Sequence, residues 1–342
     1  MIRKVLSGAL VFAALVIAAS NAHAQTLING AGSTFGYPIY SKWFDEYVKV
    51  DPSMRFNYQS IGSGGGINLL FNKTVDIGAS DAPLSDEQIK RAPGPILEFP
   101  SVLGAVVMTY NVQGLTKPLR LTGPLIANIY LGKVGKWNDP AIAALNPGVT
   151  LPDQQIVTCH RSEGSGTTYI FADYMSKVSP EWAAKVGKST SLRWPGGLGG
   201  KGSEGVTALV EQTPGALGYV ELTYALANKL AFATIQNKDG KWIAPSLDGV
   251  TAAAAGASTS MPSDFRVSIT DAPGATSYPL SSFTWLLVYQ QQADATRGAA
   301  IVKFLHWGLT KGQKSAPPLY YAPLPKAVVA LEMKQLKEIV VP

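Results

Sequence analysis

The chain has 342 residues, 46% of them apolar and 15% charged, a length and balance that suggest two globular domains. Its single cysteine, Cys159, excludes an internal disulfide, so the fold is held by its core. The formal charge of +6 is spread along the chain with no dense Lys/Arg run, which argues against nucleic acid as a partner.

Residues 1–24 open with Arg3 and Lys4, run through an apolar stretch and close on Ala22-His23-Ala24. A basic start, about 7 to 15 apolar residues and a small-x-small end describe a secretory leader, here cut after Ala24. The apolar run is shorter than the roughly 20 residues that span a bilayer, so it is not read as an anchor. Without Arg3 and Lys4 the formal charge falls to +4, and the remaining chain is expected to be exported and soluble.

From residue 25 onward, short β-rich runs alternate with helical patterns, which predicts an α/β fold. Four segments share one layout of strand, small-residue turn and helix. The first is Leu27-Ile28-Asn29-Gly30-Ala31-Gly32-Ser33-Thr34-Phe35-Gly36, with Pro38 suited to the first turn of a helix that buries Ile39, Trp43 and Tyr47. The second runs to Ile61, then Gly62-Ser63-Gly64-Gly65-Gly66, then a helix burying Ile67, Leu70 and Phe71. The third is Val75-Asp76-Ile77-Gly78-Ala79-Ser80-Asp81, after which Ser85 and Gln88 have capping-box spacing. The fourth is Ile156-Val157-Thr158-Cys159, then Arg161-Ser162-Glu163-Gly164-Ser165-Gly166-Thr167, then a helix through Tyr169, Ile170 and Tyr174. Cys159 reads as a small buried strand residue.

A strand that ends in such a turn and opens a helix leaves several backbone N–H groups aimed at one spot, with the positive end of the helix dipole behind them. Thr34, Ser63, Ser165 and Thr167 add hydroxyl donors, and Arg161 adds a fork of N–H groups matched to a tetrahedral oxyanion. Other chemistries find less support. The P-loop template fails twice around Gly200-Lys201, and the G-x-G-x-x-G string at Gly197, Gly199 and Gly202 follows Arg193-Trp194-Pro195 rather than a buried strand. That stretch reads as a loop, with Ser203 capping the next helix. Of the two histidines beyond the leader, His306 reads as a helix-packing residue and His160 as a neighbour of the fourth turn; neither lies in a metal-ligand pattern. No G-x-S-x-G elbow occurs, since Gly164-Ser165-Gly166 has the wrong spacing. Neither catalysis nor a cofactor is expected.

At these four segments the chain resembles the PstS-type phosphate-binding proteins of high-affinity phosphate ABC importers. The matching strings are Gly30-Ala31-Gly32-Ser33-Thr34-Phe35, Ile61-Gly62-Ser63-Gly64-Gly65-Gly66, Gly78-Ala79-Ser80-Asp81-Ala82-Pro83-Leu84-Ser85 and the turn of residues 161–167. Similar stretches include Ile129-Tyr130-Leu131-Gly132-Lys133 and Pro214-Gly215-Ala216-Leu217-Gly218-Tyr219-Val220-Glu221. The resemblance implies a two-domain, type II-like periplasmic-binding-protein fold with ligand in the interdomain cleft and two crossover strands as hinge. Residues 25–105 with 280–342 would form one domain and 106–279 the other. It implies that inorganic phosphate is held by Thr34, the N–H of Phe35, Ser63, Asp81, Arg161, Ser165, Gly166 and Thr167, with Glu163 behind Arg161 and no metal. Gly64 departs from the second serine that many members carry, and Glu163 from an aspartate that pairs with the arginine. Asp81 would accept a hydrogen bond from a protonated oxyanion and so disfavour sulfate; the alternative is a turn cap before the Ser85 helix. The implied protein is a periplasmic monomer that serves membrane permease subunits. A secreted phosphatase using the same cradle, or a carrier of another tetrahedral oxyanion, is the competing reading.

Overall fold

A computed structural model of the protein describes residues 25–115 and 117–342; the leader expected over residues 1–24 lies outside the described residues. In chain order the strands are β1 (Thr26–Gly32), β2 (Met54–Ser60), β3 (Ile77–Ser80), β4 (Ile96–Tyr110), β5 (Arg120–Leu121) and β6 (Val157–Arg161). They continue with β7 (Leu198–Gly200), β8 (Ala216–Glu221), β9 (Ala231–Phe232), β10 (Thr234–Gln236), β11 (Trp242–Ile243) and β12 (Ser281–Tyr289). Nine of them form one mixed sheet in the order β2-β1-β3-β12-β4-β8-β6-β7, with β9 also on β4, and β11-β10-β5 form a small second sheet.

The long strand β4 explains how two lobes share this sheet. Its first part, Ile96 to Ala105, pairs antiparallel with β12, and Val106 to Tyr110 pairs with β8. One lobe therefore gathers β2-β1-β3-β12 and the other β8-β6-β7. From Glu98 onward every residue of β4 is buried, which suits the apolar run Val-Leu-Gly-Ala-Val-Val-Met. Each lobe packs an aromatic cluster on its sheet. Phe44, Phe56 and Phe304 lie with ring centroids 4.5 to 5.5 Å apart in the first lobe. Tyr130, Phe171 and Tyr219 do the same in the second, at 4.5 to 6.3 Å. Cys159 is buried in β6 as expected, its thiol pushed up to about 11 by burial.

Within each lobe the strands β2, β1 and β3, and likewise β8, β6 and β7, run parallel. The helices that follow them start at the same edge of the sheet: α1 (Tyr37–Val50) after β1, α2 (Ser63–Phe71) after β2, α3 (Asp86–Arg91) after β3. On the other lobe α4 (Gly166–Val178) follows β6, α5 (Gly202–Gln212) follows β7 and α6 (Leu222–Ala227) follows β8. The carboxyl ends of parallel strands are where open α/β sheets collect ligands, because the unpaired N–H groups of successive helix starts meet there. The capping box of Ser85 and Gln88 is present at α3. His306 differs from its expected packing role: it is exposed on the last turn of the helix Ala295–Gly308, where an imidazole suits the dipole. No described helix is long and apolar enough to cross a membrane.

The C-terminal helix α7 (Lys326–Gln335) is pinned to β4 by Gln335, whose Nε2 donates to the Glu98 carbonyl at 2.8 Å. It also carries a fully buried Glu332 whose two carboxylate oxygens have no hydrogen-bond partner among the described residues. Burial holds this carboxyl well above the usual carboxylate range. A group whose folded value is raised contributes stability that is lost as pH rises from its unfolded value, about 4.3, toward the folded one. Glu332→Met should therefore be the more stable protein at pH 8, by on the order of 2 kcal/mol, with the gain shrinking toward pH 5. Denaturant titrations of both proteins at the two pH values check this; a gain independent of pH would contradict the ionisation argument.

Candidate anion-binding site

The first turn is shaped by Gly32. Its φ is +135°, and a Cβ there would sit 2.0 Å from the Ala79 carbonyl oxygen, so the backbone conformation and the approach of β3 both require glycine. Residues 33–36 then lead into α1, which has Pro38 in its first turn and no side-chain cap. The ring of Phe35 is buried against Gly104 of β4, where a Cβ would lie 2.6 Å from Phe35 Cζ. Among the described residues the buried N–H groups of Thr34 and Phe35 make no hydrogen bond. Such donors are uncommon in protein interiors.

The second and third turns converge on Asp81, which is 1% exposed. Its Oδ1 accepts from Ser33 Oγ and from Thr284 Oγ1 at 2.7 Å, and its Oδ2 from Ser63 Oγ at 3.4 Å. Ser63 Oγ in turn accepts from the Asp81 N–H at 3.1 Å. Burial pushes the Asp81 carboxyl up to about 6, against the lowering effect of Ser33 and Thr284 hydroxyls and of Arg161. The group is thus ionised at neutral pH, but not by a wide margin.

On the other lobe β6 delivers Arg161, 3% exposed. Its Nε donates to Glu163 Oε1 at 2.8 Å, Nη2 reaches the same oxygen, and Nη1 lies 3.3 Å from Thr167 Oγ1. The glutamate therefore makes the pairing expected of a shorter aspartate. Two of the five guanidinium N–H groups are left for another acceptor. Ser165 caps α4, its Oγ accepting from the Thr168 N–H at 3.1 Å, and the Thr167 N–H has no partner among the described residues.

The lobes meet over this spot. The Gly166 N–H donates to Ser63 Oγ at 3.0 Å, and the Gly64 N–H to the Gly164 carbonyl at 2.9 Å. Thr34 Oγ1 lies 2.8 Å from Ser203 Oγ and accepts from the Ser203 N–H at 3.2 Å. All eight residues singled out by the sequence, Thr34, Phe35, Ser63, Asp81, Arg161, Ser165, Gly166 and Thr167, are brought to one interlobe spot with Glu163 beside them. Gly64 is explained as well: a Cβ there would stand 3.0 Å from Gly164 Cα, so the smallest residue allows this approach.

Three contributors escaped the sequence reading. Ser33 lies inside the first motif, one residue before Thr34, but its partner Asp81 is 48 positions away; Thr284 sits in an apolar strand with no local signal. Ser203 does not cap its helix. Lys201 holds the cap position of α5, and Ser203 turns its N–H and hydroxyl to Thr34 across the cleft.

Two α/β lobes on a shared strand, closing donor-rich turns on one buried spot, define the class of two-lobed solute-binding proteins. Residues 19–310 match the model of the PBP superfamily domain. The chain is 46% identical over 303 residues to the phosphate-binding protein PstS of Xylella fastidiosa (strain 9a5c), covering 88% of this chain and 82% of that one. Its fold is similar to a high affinity periplasmic phosphate-binding protein solved with phosphate (TM-score 0.72, 21% identity, 90% and 93% of the two chains). It is also similar to an ABC-type phosphate transport receptor from Vibrio cholerae (TM-score 0.57, 19% identity, 87% and 100%). The chain belongs to the PBP superfamily and, within it, to the PstS family.

Closure depends on the absence of a side chain at Gly166, where a Cβ would lie 2.4 Å from Ser63 Oγ and 2.6 Å from the Asp81 backbone nitrogen. Neither neighbour is the free end of a flexible chain. Gly166→Ala should hold the lobes apart and give a larger radius of gyration than wild type in small-angle scattering; identical profiles would mean the contact yields in some other way.

Proposed function

We propose that this chain captures inorganic phosphate in the periplasm and hands it to the membrane subunits of an ABC importer. On this reading it is exported by a leader cut after Ala24 and works as a monomer. Residues 25–105 with 280–342 form one domain and 106–279 the other. Phosphate bridges them, held by Thr34, the Phe35 N–H, Ser63 and Asp81 from the first and by Arg161, Ser165, Gly166 and Thr167 from the second. A ligand gripped from both sides favours the closed state and raises stability by mass action. The names of the relatives, a PstS phosphate-binding protein and an ABC-type phosphate transport receptor, support a carrier rather than an enzyme.

The observation that carries the reading is a buried carboxylate within an otherwise donor-rich cradle. An ionised Asp81 repels any fully deprotonated anion. Phosphate near neutral pH carries at least one proton, so it can donate to Asp81 and turn the repulsion into a charge-assisted hydrogen bond. Sulfate has no proton to donate and would set a lone pair against the carboxylate.

Calorimetric titration with phosphate, sulfate, arsenate and molybdate tests the assignment, and a wild-type protein that takes no phosphate would overturn it. Arg161→Ala should weaken phosphate binding by about 2 to 3 kcal/mol, as expected for hydrogen bonds to a charged group, and Arg161→Lys should recover part of it.

The sign of the pH dependence follows from Asp81. As pH falls through about 6 the carboxyl takes up a proton and becomes a donor, so the preference for phosphate over sulfate should narrow. Asp81→Asn should show the narrowed ratio already at pH 8 and little change from there to pH 5. Titrating both anions into both proteins at one ionic strength checks this, and an Asn variant with wild-type selectivity would rule the carboxylate out as the discriminator.

A further inference from the structure

The carbonyl oxygens of Ser33, Thr34 and Phe35 have an arrangement that neither turn chemistry nor helix capping supplies. Each accepts a tyrosine hydroxyl from a different part of the fold: Tyr58 of β2 donates to Ser33 at 2.9 Å, Tyr224 of α6 to Thr34 at 2.6 Å, and Tyr321 to Phe35 at 2.6 Å. The regular ladder of α1 begins at the next carbonyl, Gly36, which accepts from the Tyr40 N–H at 3.0 Å. The second contacts of Tyr224 and Tyr321, with Glu204 Oε1 at 3.1 Å and Glu221 Oε2 at 3.3 Å, are longer. A hydroxyl has one proton, and an O···O approach of 2.6 Å to a carbonyl needs it there.

In a trans peptide the C=O and the following N–H point in opposite directions. Fixing the carbonyls of residues 33, 34 and 35 therefore aims the N–H groups of Thr34, Phe35 and Gly36 each away from its tyrosine. Gly36 donates to Ser33 Oγ at 2.7 Å, the hydroxyl that serves Asp81, while the buried N–H groups of Thr34 and Phe35 have no partner among the described residues. Donation into the Thr34 carbonyl also polarises that amide and strengthens its N–H as a donor. Tyr58 belongs to the first lobe, and Tyr321 lies next to Ala322, which is bridged to the first-lobe part of β4 at Leu103. Tyr224 alone follows β8 of the other lobe. Its hydroxyl grips the very peptide whose N–H is Phe35.

We propose that the Tyr58, Tyr224 and Tyr321 hydroxyls are positioning groups that aim the N–H donors of the first turn at the anion, and that Tyr224 makes this aim depend on lobe closure. The inference rests on the phosphate-carrier reading. Closure then has two effects: it brings Arg161 to the ligand, and it locks the Thr34–Phe35 peptide from behind.

Tyrosine-to-phenylalanine changes remove the hydroxyl and keep the ring. The control is Tyr289, whose hydroxyl donates to the Leu70 carbonyl at 2.9 Å and touches none of the turn. Stopped-flow kinetics with inorganic phosphate and the amide resonance of Phe35 are read for wild type, Tyr224→Phe and Tyr289→Phe. Tyr224→Phe should release phosphate faster, on the order of tenfold for one lost buried hydrogen bond, with association changed much less. It should shift the Phe35 amide resonance, and Tyr289→Phe should do neither. Equal release rates for wild type and Tyr224→Phe, or equal losses in Tyr224→Phe and Tyr289→Phe, would overturn the proposal while leaving phosphate binding intact. If wild type takes up no phosphate, the carrier reading fails; the Thr34 amide resonance of the free protein then decides the aiming role, supporting it if Tyr58→Phe, a change within the first lobe, moves it and overturning it if not.

Discussion

A backbone N–H removed from water has to find an acceptor, and where several parallel strands end beside helix starts there are more such donors than local carbonyls to receive them. In this chain the surplus is concentrated at one edge of one sheet. β1, β2 and β3 feed it from one side and β6 from the other, because both lobes are built of parallel strands hung on β4. Some of the surplus is absorbed within the protein: Ser63 Oγ takes the N–H groups of Asp81 and Gly166, and Ser165 Oγ takes that of Thr168. What is not absorbed among the described residues, at Thr34, Phe35 and Thr167, is what an oxyanion would meet on the proposed reading.

Net charge plays a smaller part than dipoles. Arg161 faces Glu163 directly and Asp81 lies within electrostatic reach, so one guanidinium is set against two carboxylates. A site so composed has no strong general pull on anions. On the reading proposed above, it would favour a ligand that offers acceptors to N–H groups and, at one position, a proton to a carboxylate. Glu163 also accepts the Gly202 N–H at 3.1 Å, which ties Arg161 to the start of α5 and limits the guanidinium's freedom before any ligand arrives. An arginine already held in place loses less rotamer freedom on binding than a free one.

The parts of this arrangement legible in the sequence are those with local causes. Strand, small-residue turn and helix follow one another within about fifteen residues in each motif, and turn composition, capping and 3.6-residue periodicity report on them directly. Hence the α/β fold, the four turns and the residues on them could be read. What could not be read are groups whose purpose is set by a distant partner. Thr284 serves Asp81 across 203 positions, Tyr224 serves Thr34 across 190, and Tyr321 serves Phe35 across 286. In its own neighbourhood each looks like an ordinary strand, helix or loop residue. Ser203 is the instructive case: its local pattern suggested a cap, and a contact across the cleft claimed the side chain instead.

The glycines show why closure and composition are linked. Gly64 and Gly166 approach the opposite lobe so closely that a methyl group at either would press on backbone or on Ser63 Oγ. Their absence of side chain lets N–H groups, rather than carbon, form the contact surface between lobes. The partnerless N–H groups of Thr34, Phe35 and Thr167 lie beside this contact, so on the proposed reading the approach of the lobes also gathers the donors that would meet the anion. On the carrier reading, binding and closing are then one event, not two joined by a lever. A lobe that moved away would withdraw Arg161, Gly166 and Thr167 together and leave Ser63 Oγ without one of its two N–H partners. On that reading a hinge on β4 needs no special flexibility to couple them; it needs only to let two strand-end edges meet or part.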